Sequence, residues 1–371
     1  MTEELWDLAI VGAGPAGSTC ACSALANNQN IRVALIDREN FPRDKSCGDA
    51  IRNDAASLLK QLGLESTFEG RPRINSIRPS VSAKFQYLTK LLEFDRHTYF
   101  VIERNIFDND LHEAAIARGA QAFVGHSMTH AVFDDSENLW NIATKNKAGS
   151  ETTIRAKVLV GADGAGSRVR RAVGLKKNSD RNSLLGIRAY AKAKGFDRTA
   201  LRVDFPDLLI PGYGWVFPLQ NEKINIGLCL DVRDYRRFHS TLEEHLNSYV
   251  SYLTAQGLQV HDLEDCKSSP LPLALADLPL VPCKQVALIG DAASMIDPLS
   301  GEGIHFGVWA GYTLGHAVSR GLNEQNIQVN LEKFAAKFTD KFGTELQDSE
   351  EFRIMLRFQR MFHSDSFVSQ G

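Results

Sequence analysis

Paired cysteines, long apolar runs and an excess of either charge are all missing from this chain. Six cysteines occur, at positions 20, 22, 47, 229, 266 and 283, and no two stand in C-x-x-C spacing. Their irregular spacing argues against a zinc site and against a disulfide framework, so no metal is expected. No apolar stretch approaches the length needed to span a bilayer. The acidic opening MTEELWD leads straight into an apolar strand, so no signal peptide is read. A net charge of −3 gives no reason to expect nucleic acid as a partner. Internal repeats and low-complexity linkers are absent too. A reduced, cytoplasmic protein is the expectation. What remains is an ordinary globular composition, 43% hydrophobic and 23% charged over 371 residues, enough for two domains or for one large domain with an insertion.

The most informative stretch is Leu5 to Arg38, LWDLAIVGAGPAGSTCACSALANNQNIRVALIDR. An apolar run, Leu8 to Val11, predicts a buried strand. Gly12, Gly14 and Gly17 follow in G-x-G-x-x-G spacing, then a small-residue helix over Ala16 to Ala26, then a second strand, Ile31 to Ile36, ending on Asp37. The spacing has a physical reason. The first glycine allows a tight turn, the second lets a pyrophosphate approach the backbone, and the third lets helix and strand pack closely. The helix start offers unpaired N–H groups and partial positive charge to phosphates. Asp37, 20 residues past Gly17, can accept from a ribose hydroxyl, which favours FAD or NAD over NADP.

Further along, an irregular loop, Pro42 to Asp49, precedes a helix capped by Asn53 or Asp54 and closed by Gly63. Residues 71–97 read as short strands, His97 to Glu103 as another, and Asn105 to Arg118 as a helix ended by Gly119. Residues 120–160 read as a strand meander. In Val158 to Gly174 a strand runs into Asp163-Gly164, and Arg168, Arg170 and Arg171 form the basic face of a helix. Residues 183–231 alternate apolar and polar as an antiparallel sheet does. In its middle, Pro211 to Leu219, the aromatic residues Tyr213, Trp215 and Phe217 project to one face. They suit a cavity wall or a core face equally well. A helix over Leu242 to Ala255 follows. Another strand ends at Gly290-Asp291, after which Pro298, Leu299, Ser300, Gly301, Glu302 and Gly303 open a small-residue helix. His305 is the one histidine placed near that helix start; a helix histidine facing solvent or core is its simpler reading. Residues 327–363 read as helical.

Together these motifs resemble the FAD-dependent oxidoreductases of the para-hydroxybenzoate-hydroxylase-like fold, in order and spacing, from Leu5 to about Arg320. Two stretches are similar to the geranylgeranyl reductase group within them: Pro-Arg-Asp-Lys-Ser-Cys-Gly-Asp, Pro42 to Asp49, and Gly-Tyr-Gly-Trp-Val-Phe-Pro, Gly212 to Pro218, close to the group's Y-x-W-x-F-P pattern. The W-x-W-x-I-P run of flavin-dependent halogenases is absent. More weakly, the chain resembles flavoproteins that mature cysteine tryptophylquinone enzymes.

The resemblance implies an α/β (α+β) fold. A Rossmann-like FAD-binding domain would comprise 1–70, 98–180 and 268–325, an inserted antiparallel-sheet substrate domain 71–97 and 181–267, and C-terminal helices 326–371. It implies FAD contacts from Gly12, Gly14, Pro15, Ala16, Gly17, Asp37, Arg38, Cys47, Gly48, Arg104, Asp163, Gly290 and Asp291. Asp37 would hold the adenine ribose, Arg104 the pyrophosphate or ribose region, and Asp291 the ribityl chain. The backbone at Pro298, Gly301, Glu302 and Gly303 would meet the pyrimidine end of the flavin, where a helix start stabilises negative charge. Cys47, Tyr213, Trp215 and Phe217 would line the substrate side as the catalytic set.

The implied activity is an FAD-dependent oxidoreductase acting on a bulky hydrophobic or aromatic substrate, lipid- or protein-borne. Hydride transfer to a C=C bond leads. The alternatives are hydroxylation of an aromatic group, including a protein-bound tryptophan, and an accessory flavoprotein that binds a partner protein. Only one dinucleotide fingerprint occurs, so NADH or NADPH would reduce the flavin by transient docking, or a separate reductase would.

Overall fold

The computed structural model describes residues 4–81, 98–206, 209, 212–237, 239–275 and 277–364. Strand β1 (Leu5–Val11), helix α1 (Pro15–Asn27) and strand β2 (Val33–Asp37) open the chain. Then come β3 (Ala50–Arg52), α2 (Asn53–Gln61), β4 (Arg73–Ile74), β5 (Ile77–Val81), β6 (Tyr99–Val101) and α3 (Arg104–Ala117). The meander is β7 (Gln121–Val124), β8 (His126–Asp134), β9 (Leu139–Asn146) and β10 (Glu151–Gly161). Helix α4 (Arg168–Ala172) leads to β11 (Ser183–Lys194), β12 (Leu201–Phe205), β13 (Tyr213–Pro218) and β14 (Lys223–Asp231). Helices α5 (Val232–Tyr235) and α6 (Leu242–Ala255), strands β15 (Gln259–Pro272) and β16 (Val286–Leu288), and helices α7 (Ile304–Asn323) and α8 (Ile327–Ser364) complete it. The expected strands beyond Val81, His97 and Pro211 lie outside the described residues.

The first sheet has the order β7-β2-β1-β10-β9-β8, with β16 added beside β10. Its β7, β2, β1, β10 and β16 pair in parallel, while β9 and β8 pair antiparallel. Leu8, Ala9 and Ile10 are fully buried, as a central parallel strand covered on both faces requires. One cover is the α1–α7 pair. A Cβ on Gly311 would stand 2.3 Å from the Ala16 carbonyl oxygen and one on Gly315 2.4 Å from that of Cys20, so glycine lets the two helices nearly touch. Helix α8 closes over α7 through Phe338 and Phe342, which meet Phe306 and Trp309.

The second sheet has the order β15-β11-β14-β13-β12-β5 and is antiparallel except for β12 with β5. Helix α6 covers one face with Leu246, Tyr249 and Leu253. Its start is a capping box, Thr241 with Glu244. The Tyr249 ring lies 2.4 Å from where a Cβ on Gly214 would be, so the even positions of β13 face the helix. The odd positions, Tyr213, Trp215 and Phe217, therefore face the other way. A small third sheet joins β3, β6 and β4.

Two local expectations need correction. The N-cap of α2 is Arg52, not Asn53 or Asp54. Pairing of Ala50–Arg52 with β6 carries extended backbone up to Arg52, so the helix starts at the next residue. The arginines after Asp163 are not a uniform solvated face. Arg170 donates at 3.2 Å to the Ala292 carbonyl and at 2.9 Å to that of Lys176, and so ties α4 to the turn after β16.

Candidate functional site

The first strand-to-helix turn is built on close approach. Gly12 has φ +105°, and a Cβ there would lie 2.1 Å from the Ala162 carbonyl oxygen. A Cβ on Gly17 would lie 1.9 Å from the Gly12 carbonyl oxygen. The N-cap of α1, Gly14, offers no side-chain bond, and Pro15 occupies the first turn. The first N–H groups of this 13-residue helix are thus left for a ligand. The N-cap of α7, Gly303, is likewise without a side-chain cap.

Both helix starts open on one cavity of about 890 Å³. Its lining brings together Gly12, Gly14, Asp37 and Arg38 from the dinucleotide motif, Arg104, Asp291 and Gly301 to Gly303, and Cys47, Tyr213, Trp215 and Phe217. Asp37 is fixed by the backbone N–H groups of Ala13 and Glu39, at 2.8 and 2.9 Å. Arg104 is buried, and Asp108 grips its guanidinium at two points, 2.6 and 2.7 Å. Burial opposes the charge, yet this carboxylate holds it firmly, with Cys47 as a further partner. The Cys47 thiol is pushed up by burial, against the pull of Arg104. Burial would likewise raise the Asp291 carboxyl. The Lys45 ammonium, 2.6 Å away, and Arg104 outweigh that and hold it below the usual range.

The aromatic strand bridges two loops. A Cβ on Gly48 would meet the Phe217 ring at 2.9 Å and the Trp215 indole nitrogen at 3.5 Å, so the Cys47-Gly48 loop lies directly on β13. At the other end, the Tyr213 hydroxyl donates to the Ser300 carbonyl, in the turn where Gly301 has φ +69°. The same rings also belong to small clusters with Leu184, Ile296 and Leu299. They are at once cavity wall and local core.

The remaining expected residues are placed as follows. Pro15, Ala16, Gly48, Gly290 and Glu302 line the cavity, while Gly17 sits behind its wall, and Pro298 precedes the lining stretch that begins at Leu299. Asp163 lines it too, but its carboxylate is turned into its own loop. It accepts from the Ser167 hydroxyl at 2.5 Å and from the backbone N–H groups of Arg168 and Val169 at 2.6 and 3.3 Å. His305 is buried, 3.2 Å from Arg52 and 3.6 Å from Glu302. Arg52 also pairs with Asp54, and the Tyr99 hydroxyl donates to Glu302 at 2.9 Å.

Sequence reasoning missed a second layer. Asp44 accepts from Lys267 at 2.7 Å and pairs with the fully buried Arg188, pinning the Pro42–Asp49 loop to β11 and β15. Asp49, Tyr190 and Asn225 join behind Cys47. The acid of the loop was visible; its partners lie more than 140 positions away, and no local pattern marks them. Among the described residues no cluster of histidine, cysteine or acids could hold a metal, and no helix is long and apolar enough to cross a membrane.

Comparison with known proteins follows the same outline. A family model described as FAD binding domain matches residues 6–211. The chain is 26% identical to conditioned medium factor receptor 1 of Dictyostelium discoideum, over 95% of this chain and 71% of that protein. It is 28% identical to a menaquinone reductase of Mycolicibacterium smegmatis, over 85% and 76%. It is 26% identical to a digeranylgeranylglycerophospholipid reductase of Methanocella arvoryzae, over 94% and 86%. Among solved structures, a geranylgeranyl bacteriochlorophyll reductase-like protein of Thermoplasma acidophilum superposes with a TM-score of 0.81 at 18% identity, covering 95% of this chain and 88% of that one.

Proposed function

The chain belongs to the FAD binding domain family and is an FAD-dependent oxidoreductase, and from that premise we propose that it adds a hydride and a proton across a C=C bond of a bulky prenyl-type lipid. The observation that carries this reading is the continuous cavity. The dinucleotide motif gives it a polar part, and Ile77, Leu201, Val203, Phe205 and Leu299 give it an apolar part. Relatives are named menaquinone reductase and digeranylgeranylglycerophospholipid reductase. This favours reduction over hydroxylation.

In this reading the start of α1 and Gly12 to Gly17 hold the pyrophosphate, Asp37 the adenine ribose and Asp291 the ribityl hydroxyls. Lys45, paired with Asp291, would hold that carboxylate in place beside the cofactor. The turn from Pro298 to Gly303, with the uncapped start of α7, would hold the pyrimidine end and stabilise negative charge there. Reduced FAD supplies the hydride. Cys47, Tyr213, Trp215 and Phe217, which line the cavity, would position the double bond for the hydride and keep water out. NADH or NADPH reaches the cavity only transiently, since the sequence carries a single dinucleotide fingerprint. The six cysteines are free, which suits a reduced compartment, and we place the reaction in the cytoplasm, on substrate presented by a lipid phase.

The test is to load purified protein with FAD, add NADH or NADPH with and without oxygen, and offer a polyprenyl lipid. The expected result is a product heavier by two hydrogens per reduced bond, formed without oxygen. Oxygen-dependent turnover giving a hydroxylated product would overturn the reduction.

A further inference from the structure

Asp49 is fully buried and reaches its position with φ +64°, a backbone conformation that costs a non-glycine residue. One oxygen, Oδ2, accepts from the Tyr190 hydroxyl at 2.9 Å and from the Asn225 amide at 2.8 Å. The same Asn225 amide donates to the Cys47 carbonyl at 2.7 Å, and its oxygen accepts from the Trp215 indole at 2.8 Å. The Asp49 N–H points at the Cys47 sulfur, 3.4 Å away. One carboxyl therefore ties the Cys47 loop to the aromatic strand, two walls of the cavity that lie far apart in sequence. The other oxygen, Oδ1, is buried and has no hydrogen-bond partner among the described residues.

We propose that Asp49 is a positioning residue that holds the Cys47 loop and the Trp215 indole in register through Asn225, and that gain or loss of its proton changes that register. The proposal rests on the reading that the cavity holds FAD against these two groups.

The groups facing Asp49 are Arg188 and Tyr190 on β11, Arg104 on α3 and Cys47 on its own loop; Lys223 on β14 and the Arg188 guanidinium lie over the Tyr190 ring, 4.1 and 4.0 Å from its centroid. Burial raises the Asp49 carboxyl most. The bonds from Asn225 and Tyr190 and the charges of Arg188 and Arg104 oppose this, leaving it at about 7. Above that pH the carboxylate pulls harder on Tyr190 and Asn225, because a charged acceptor makes shorter and stronger hydrogen bonds. Below it, the pull on the Cys47 carbonyl and the indole relaxes.

The experiment follows the visible spectrum of bound FAD and the infrared carboxyl band of the holoprotein against pH, with no lipid substrate, so its outcome is independent of which reaction is catalysed. In the unaltered protein both signals should titrate together near 7. Asp49→Asn keeps an acceptor for Tyr190 and Asn225, and should abolish both transitions while retaining FAD. Asn225→Ala should keep the infrared transition and lose the flavin one, because it cuts the link and not the acid. Tyr190→Phe removes a bond that favours the ionised form, so it should move both midpoints upward. The proposal fails if the flavin transition persists in Asp49→Asn or in Asn225→Ala. If Asp49→Asn does not fold, an unmoved midpoint in Tyr190→Phe overturns it. Absence of FAD from the unaltered protein would refute the cofactor reading instead.

Discussion

Asp163 and Asp291 look alike in the sequence, each an acid beside a glycine where a strand ends, yet their surroundings separate them. Asp291 faces the cavity and pairs with one cation, Lys45. A charge-assisted bond from such a group is worth about 1.5–3 kcal/mol, so Asp291→Ala should weaken FAD binding about tenfold to a hundredfold. Fluorescence titration of the apoprotein checks this, and unchanged affinity in a folded variant would remove Asp291 from the site. Asp163 is instead bound to Ser167 and to two backbone N–H groups, as a helix cap is. Asp163→Ala should cost about 0.5–2 kcal/mol of stability and change FAD affinity less than Asp291→Ala does, in a denaturant series run beside the titration. Asp49 adds a pH signature to stability. Its folded value of about 7 stands above the unfolded 3.8. The folded state thus keeps a proton that the unfolded chain releases. Its stabilising contribution is full below the unfolded value, shrinks as pH rises towards 7 and is level above it. The melting temperature of the unaltered protein should fall relative to Asp49→Asn across that window, and parallel curves would exclude the raised value.

At the scale of elements, the unit β1–α1–β2 was legible because strand, glycines, helix and terminal acid are consecutive, and each step is set by local sterics. The start of α2 was not legible, because pairing of β3 with β6, remote in sequence, decides where extended backbone stops. The aromatic strand lies between these cases. Its period of two was readable, but which face it turned to the cavity depended on Tyr249 of α6 filling the space over Gly214. Its two ends should respond differently to mutation. Tyr213→Phe removes a bond to a partly exposed turn and should lower turnover with little change in melting temperature. Trp215→Phe leaves the buried Asn225 oxygen unpaired, a cost of about 1–3 kcal/mol, so it should lower both. Scanning calorimetry beside steady-state kinetics separates the two. Equal losses of stability would mean that the strand acts as core alone.

The whole molecule joins two sheets, and strand ends of the first and one face of the second line a common cavity; that arrangement is what a sequence without a wider pattern conveys least. The three glycine–acid stretches marked the strand ends of the first sheet, so the polar half of the cavity could be assembled residue by residue. The apolar half is made by Ile77 of β5 and by Leu201, Val203 and Phe205 of β12. These two strands pair in parallel although more than a hundred residues separate them. Nothing in either run alone distinguishes a substrate wall from a core face. This wall makes a prediction about substrate length. Each buried methylene is worth about 0.8 kcal/mol. In a series from one isoprene unit to four, kcat/KM for double-bond reduction should therefore rise with each unit and level off once the apolar wall is filled. Replacing Val203 by Asp, which places a charge in that wall, should flatten the series and leave FAD affinity within a few-fold, because Val203 belongs to the apolar wall and not to the residues assigned to the cofactor. A series that is flat in the unaltered protein, or one that favours the shortest and most polar member, would mean that the apolar wall packs the fold and does not select the substrate.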